Sequence, residues 1–221
     1  MNHQILQRYI DSHNFPIIEK GYHKYLTFES LEEDFTYILK EGIVKQSVLS
    51  KYGMEFNLRY VTGLEITSVL NTGYSKDMRE PYNVRIESET ASFYKVRHST
   101  FLRDISEDIE LQGYVKDFYH YRLQKSMKKM QCMLTNGRIG AISTQIYDLM
   151  TLFGRPLANG HILIDFIITN EELGKFCGIS TASSVSRLLK QLKKEGIIQI
   201  QDQHIIITNL EKLKDNIVFK H

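Results

Sequence analysis

The sequence predicts an α+β protein in three parts, and two observations predict it. Short strand-like runs rich in β-branched and aromatic residues fill the chain from about Lys24 to Arg97, and from Ser106 apolar residues recur at helical steps of three to five. In the last third, caps and glycines are spaced as in two short helices, a turn and a hairpin. Together they divide the 221 residues into a strand-rich part (1–105), a long helix (106–135) and a compact C-terminal part (136–221).

From about Lys24 to Arg97 the runs LTF, FTYIL, IVKQSVLS, MEFNLRYV, YNVRIES and ASFYKV are rich in β-branched and aromatic residues. Turn signals separate them at Glu41-Gly42, Lys51-Tyr52-Gly53, Thr62-Gly63 and Asn71-Thr72-Gly73. Many short strands at close spacing predict a roll, sandwich or small barrel.

The long helix follows. No proline interrupts Ser106–Leu134, and Leu111, Val115, Phe118, Leu123, Met127, Met130 and Leu134 lie close to a heptad seam. Ser106 is the expected start and Asn136-Gly137 the expected stop. A helix of about 28 residues spans roughly 40 Å, more than one small domain covers. It therefore pairs with a copy of itself or links two domains. A second amphipathic helix carries Ile139, Ile142, Ile146, Leu149, Met150 and Phe153, and ends at Gly154-Arg155-Pro156. Asn159-Gly160 then predicts a hairpin leading into the strand HILIDFII.

The stretch TNEELGKFCGISTASSVSRLLKQLKKEGII, from Thr169 to Ile198, carries the chemistry. Thr169 and Glu172 fit a capping box for a first short helix. Gly174 leaves room for a neighbouring helix, and Gly178 suits a left-handed end. Ser180 is the expected cap of a second helix over about residues 180–194. On it Val185, Leu188, Leu189 and Leu192 share one arc, with Ser183, Arg187, Lys190 and Lys194 opposite. IIQIQ and HIIIT, joined by Asp202-Gln203, read as a hairpin wing.

A winged helix-turn-helix of this kind inserts the start of its second helix into the DNA major groove. Short side chains there let the backbone approach the bases, so Thr181, Ser183 and Ser184 are candidate contacts. Arg187 can pair two donors with guanine, while Lys190 and Lys194 are placed for phosphates. The net charge of +2 does not by itself point to nucleic acid; the concentration of cations on one face does.

GISTASSVSRLLKQLKKEGII with its hairpin resembles the DNA-binding domain of the Crp/Fnr family, closest to the PrfA-like regulators. NGRIG, EELG, SSVSR and LKQLKKEGII carry the match, and ILKEGIVKQSVLSKYGMEFNLRYVTG is similar to the family's β-roll. The resemblance implies a cyclic-nucleotide-binding-like jelly roll as sensor, a long dimerisation helix and a homodimer bound to palindromic DNA. It also implies a transcription regulator, most simply an activator that contacts RNA polymerase.

The departures narrow the effector. NTGYSKDMREPYNVRIES lacks the Gly-Glu and Arg-Ser/Thr-Ala phosphate cassette, so a cyclic nucleotide is not expected. Two distant cysteines, Cys132 and Cys177, cannot hold an iron–sulfur cluster, and haem is not expected either. PrfA-like proteins are associated with glutathione. Tyr60 and Gly63 keep part of that pattern, but Val61, Glu65 and Lys125 stand where aromatic residues belong; Tyr60, Gly63 and Lys125 are the candidate effector contacts. In the motif, Ala182 replaces a serine of the closest relatives, and Ser183 a glutamate found in other bacterial members, so the preferred operator can differ from both.

Other classes fit less well. The low cysteine count suits a reducing cytoplasm, and no apolar run is long enough to span a membrane. Phosphate-loop and nucleophile-elbow motifs are absent, and the histidines form no metal-ligand pattern, so neither an enzyme nor a resident metal is expected. A winged helix used for protein contacts, or a non-catalytic ligand or redox sensor on the roll, is the alternative.

Overall fold

The computed structural model describes residues 4–31, 34–68 and 80–217. The chain forms two compact units, Met1–Leu123 and Gln124–His221, and the division falls inside the long helix. The turn at Asn71-Thr72-Gly73 and half of the region that lacks the phosphate cassette lie outside the described residues.

The first unit begins with α1 (Gln4–Asp11), β1 (Ile17–Gly21), β2 (Tyr25–Thr27), β3 (Phe35–Glu41) and β4 (Ile43–Leu49). It continues with β5 (Glu55–Thr62), β6 (Glu65–Ile66), β7 (Asn83–Ile86), β8 (Thr90–Arg97), α2 (His98–Glu107) and the start of α3 (Ile109–Thr135). The strands make two four-stranded antiparallel sheets, β1-β8-β3-β6 and β2-β7-β4-β5. Tyr37, Leu39 and Phe93 of the first sheet and Val44, Val61, Val84 and Ile86 of the second share one core.

The other face of the first sheet is covered by helices. Ile38, Ile66 and Val96 pack with Leu6 and Tyr9 of α1, Phe101 of α2 and Leu111, Val115 and Phe118 of α3. Strand β3 is therefore buried on both sides, which explains why FTYIL shows no apolar–polar alternation. At the β3–β4 turn Gly42 has φ +106°, and an added Cβ would lie 2.7 Å from that of Ala91, so glycine is required there.

The long helix departs from its expected start. Asp108 lies between α2 and α3 with extended backbone, and its Oδ1 accepts from the amides of Glu110 (2.9 Å) and Leu111 (3.1 Å). Asp108 is therefore the cap, because a carboxylate accepts both free amides at once. Ser106 instead closes the end of α2, donating to the Arg103 carbonyl at 2.6 Å.

The expected seam also divides. Leu111, Val115 and Phe118 are buried, whereas Leu123, Met127, Met130 and Leu134 are 60%, 59%, 58% and 79% exposed. The first turns of α3 thus spend their apolar stripe on the roll and the later turns leave it bare.

The second unit holds the rest of α3, then α4 (Gly137–Phe153), β9 (Gly154–Pro156), β10 (Ile162–Ile164), α5 (Asn170–Cys177) and α6 (Ala182–Lys194). β11 (Ile198–Gln201), β12 (His204–Ile207) and α7 (Leu210–Asp215) complete it. Its sheet runs β11-β12-β10-β9, with the Asn159-Gly160 hairpin joining β9 to β10 as expected. The strand after that hairpin is only three residues long, and Asp165 just beyond it donates its amide to the Phe153 carbonyl at 2.9 Å and pairs with Arg155 at 2.7 Å. No helix among the described residues is long and apolar enough to cross a membrane.

Candidate nucleic-acid interface

Helix α5 is capped by Thr169, whose hydroxyl accepts from the Glu172 amide at 3.1 Å. It ends at Gly178 in the left-handed conformation, φ 64°. A Cβ on Gly174 would lie 2.6 Å from the Ile179 carbonyl oxygen and 3.3 Å from Val185 of α6, so glycine sets how closely α6 crosses α5. Leu173, Phe176, Ile179, Val185, Leu189 and Leu192 are buried and lock the pair together.

Ser180 is not the cap of α6. Thr181 has the extended backbone (φ −127°, ψ 133°) and its Oγ1 accepts from the Ser184 amide at 3.3 Å. The same hydroxyl donates to Ser184 Oγ at 2.8 Å and accepts from Ser183 Oγ at 3.4 Å. The helix therefore begins at Ala182, and the polar run that looks unfavourable for a helix is a hydroxyl knot that holds its first turn. At the other end Gly196 has φ 69°, its amide donates to the Lys193 carbonyl at 3.1 Å, and Ile197 donates to Leu192 at 3.0 Å. This is a Schellman ending, and it turns the chain directly into β11.

Ser183, Arg187, Lys190 and Lys194 are all exposed on α6, with Ser184 half-buried beside the cap. Arg187, Lys190 and Lys194 have no ion pair with the described residues. Lys193 adds a fourth exposed cation near the helix end. A row of unpaired cations on a well-capped helix, with its opposite side buried, presents charge to a polyanion at little ordering cost. The wing is uncharged apart from its tip, where Asp202 (φ 48°) and Gln203 (φ 65°) form the turn and β11 pairs β12 out to Gln201–His204. Two consecutive positive φ values match the twist of a tight hairpin.

Tyr60 is buried in β5, Gly63 (φ 74°) turns the chain after it, and Lys125 is exposed on α3. Tyr60 and Gly63 belong to the first unit and Lys125 to the second, so neither unit alone assembles the three. The cysteines are free and buried. Cys132 Sγ donates to the Ile217 carbonyl at 3.3 Å, and burial pushes the Cys177 thiol up to about 12 despite nearby Lys129. Such a thiol is not a thiolate at neutral pH, which argues against Cys177 as a redox sensor.

Sequence reasoning missed α1, β1, α2 and α7. The α7 signal was present: Asn209 caps it, accepting from the Lys212 amide at 3.0 Å. Among the described residues, no group of three or more His, Cys, Asp or Glu is placed to hold a metal.

The stacked helix pair, the free basic face and the wing define a winged helix-turn-helix DNA-binding protein. Residues 146–215 match the Crp-like helix-turn-helix domain. The chain is 42% identical to the lactate racemization regulatory protein of Lactiplantibacillus plantarum, over 97% of this chain and 96% of that one. It is 26% identical to the listeriolysin regulatory protein of Listeria monocytogenes, over 94% and 87% of the two chains. Its fold is that of FixK2 from Bradyrhizobium japonicum (TM-score 0.78, 14% identity, 95% and 100% coverage). A CRP/FNR regulator of Thermus thermophilus is also similar in fold (TM-score 0.70, 15% identity, 91% and 97% coverage). The chain belongs to the Crp/Fnr family of transcriptional regulators, and it is a DNA-binding regulator of transcription.

Proposed function

We propose that this regulator works as a homodimer on palindromic operators and activates transcription through contact with RNA polymerase. The observation that carries the dimer is the bare strip Leu123, Met127, Met130 and Leu134, spaced four, three and four along α3. Exposed apolar residues at heptad spacing are what a parallel or antiparallel helix pair buries. Two copies of α6 would then meet half-sites about 34–36 Å apart, one helical turn of DNA. In this reading Arg187 reads bases. Thr181, Ser183 and Ser184 line the approach, and Lys190 and Lys194 hold phosphates. From the similarity to the lactate racemization regulator we infer that the controlled genes include those for lactate racemization.

The test is selection of bound fragments from sheared genomic DNA, followed by sedimentation of native chain and Met127→Lys. Native protein enriches palindromic fragments and sediments as a dimer; Met127→Lys loses both properties while its folding transition stays intact. A native chain that binds all fragments equally would sink the reading. Reduced glutathione, the effector expected from the family, is added as a second arm: raised operator affinity supports it, and no change removes it.

A further inference from the structure

Glu65 stands where the glutathione-associated relatives are expected to carry an aromatic ring, and the structure shows what it does instead. It is 7% exposed at the start of β6, just past the Gly63 turn. Its Oε1 lies 2.5 Å from Arg59 Nη1 of β5, and its Oε2 accepts from Arg122 Nη2 of α3. Arg59 Nε donates to Gln46 Oε1 at 2.7 Å, and Gln46 Nε2 donates to the Thr67 carbonyl at 2.9 Å. A polar chain thus runs from the middle of the roll to the long helix.

On the helix side the Arg122 guanidinium lies 5.5 Å from the Phe118 ring and 5.7 Å from the Tyr121 ring. The buried Arg122 Nε and Tyr114 hydroxyl have no hydrogen-bond partner among the described residues. Burial, then the nearby Arg59, disfavours the charged form of Arg122, and the adjacent Glu65 carboxylate favours it.

Two guanidinium groups from separate elements, converging on one carboxylate in a water-poor place, make the donor set that proteins use to grip a carboxylate ligand. We propose that Glu65 is a ligand built into the chain: its carboxylate fills an anion site made by Arg59 and Arg122 and keeps α3 docked on the roll with no effector bound. The unpaired Arg122 Nε and Tyr114 hydroxyl are spare donors of that same site. The inference rests on the regulator reading only for its effect at DNA, and the docking is measured without DNA.

The experiment is hydrogen exchange of the α3 amides 114–122 in three forms: native, Arg122→Gln and Glu65→Gly. Each is run with and without sodium acetate as the probe carboxylate. Arg122→Gln keeps the Arg59–Glu65 pair, so it leaves no carboxylate buried alone. The expected result is exchange about tenfold faster in that stretch for both variants, with sheet amides unchanged. Acetate restores protection in Glu65→Gly but not in Arg122→Gln, and it does not alter the native chain. Native-like α3 protection in Arg122→Gln overturns the proposal, as does a folded Glu65→Gly that acetate leaves unchanged. If Glu65→Gly does not fold, Arg122→Gln decides, with a second reading at DNA: a purely structural tie leaves operator affinity unchanged, the built-in ligand does not. Native protein without sequence-specific binding, combined with the expected exchange pattern, would overturn the regulator reading and leave this one standing.

Discussion

The interior of the roll and the face of α6 use charge in opposite ways. In the roll Lys45 is fully buried, with Glu55 Oε1 at 3.1 Å and Glu87 Oε1 at 4.0 Å, and Arg85 Nε sits 2.7 Å from the same Glu87 oxygen. On α6 Arg187, Lys190 and Lys194 are exposed and have no ion pair among the described residues. Buried charges are held by partners and fail together when one is lost; exposed ones contribute little to stability and are available to a ligand. Mutations in the roll should therefore appear as unfolding and mutations on α6 as lost affinity.

The largest expected break in this contrast is Lys45→Ala. It removes the shared cation of the half-buried Glu55 and Glu87, of which Glu87 keeps Arg85, and should destabilise the first unit by about 3 kcal/mol in denaturant titration. A loss below about 1 kcal/mol would mean that water reaches these carboxylates. Gly174→Ala should cost the second unit about 1–3 kcal/mol in a thermal melt, because α5 and α6 must move apart around the new Cβ. Arg187→Ala should leave both melts within about 0.5 kcal/mol while weakening operator binding by about 1–3 kcal/mol. Lys194→Ala should weaken operator and random DNA alike and lower the salt slope by about one.

Acid sharpens the same comparison. Burial alone would raise Glu55, but the attraction of Lys45, hydrogen bonds from Ser47 and Lys45, and the Arg85 charge together outweigh it and hold the carboxyl below its ordinary 4.5. The folded state thus prefers the charged carboxylate. The stability this contributes is present above pH 4.5 and is lost as pH falls through the lower folded value. The slope should flatten in Lys45→Ala, measured by denaturant midpoints from neutral pH downward. An unchanged slope would point to other carboxylates.

The legibility of the sequence follows the same divide. The α6 face, Gly178, Gly196 and the Asp202-Gln203 turn were readable because a charged outside, an apolar inside and positive φ are local signals. Glu65 was not: a carboxylate that looks solvent-bound in the sequence finds its guanidinium partners 57 residues away in Arg122 and in Arg59 of the neighbouring strand. The heptad seam misled differently. One unbroken pattern serves two surfaces, the roll as far as Phe118 and a bare strip from Leu123, and spacing carries no mark of where the change occurs. The caps were misplaced by one or two residues, Ser180 for Thr181 and Ser106 for Asp108, because adjacent hydroxyls and carboxylates compete for the same amides.

The bare strip on α3 also bears on dosage. If a second copy covers it, the number of paired chains grows as the square of the number made for as long as single chains predominate. A doubling of synthesis would then give about four times as many DNA-competent pairs. Such a gene would respond steeply to its own promoter strength, with no small molecule required to make the response sharp.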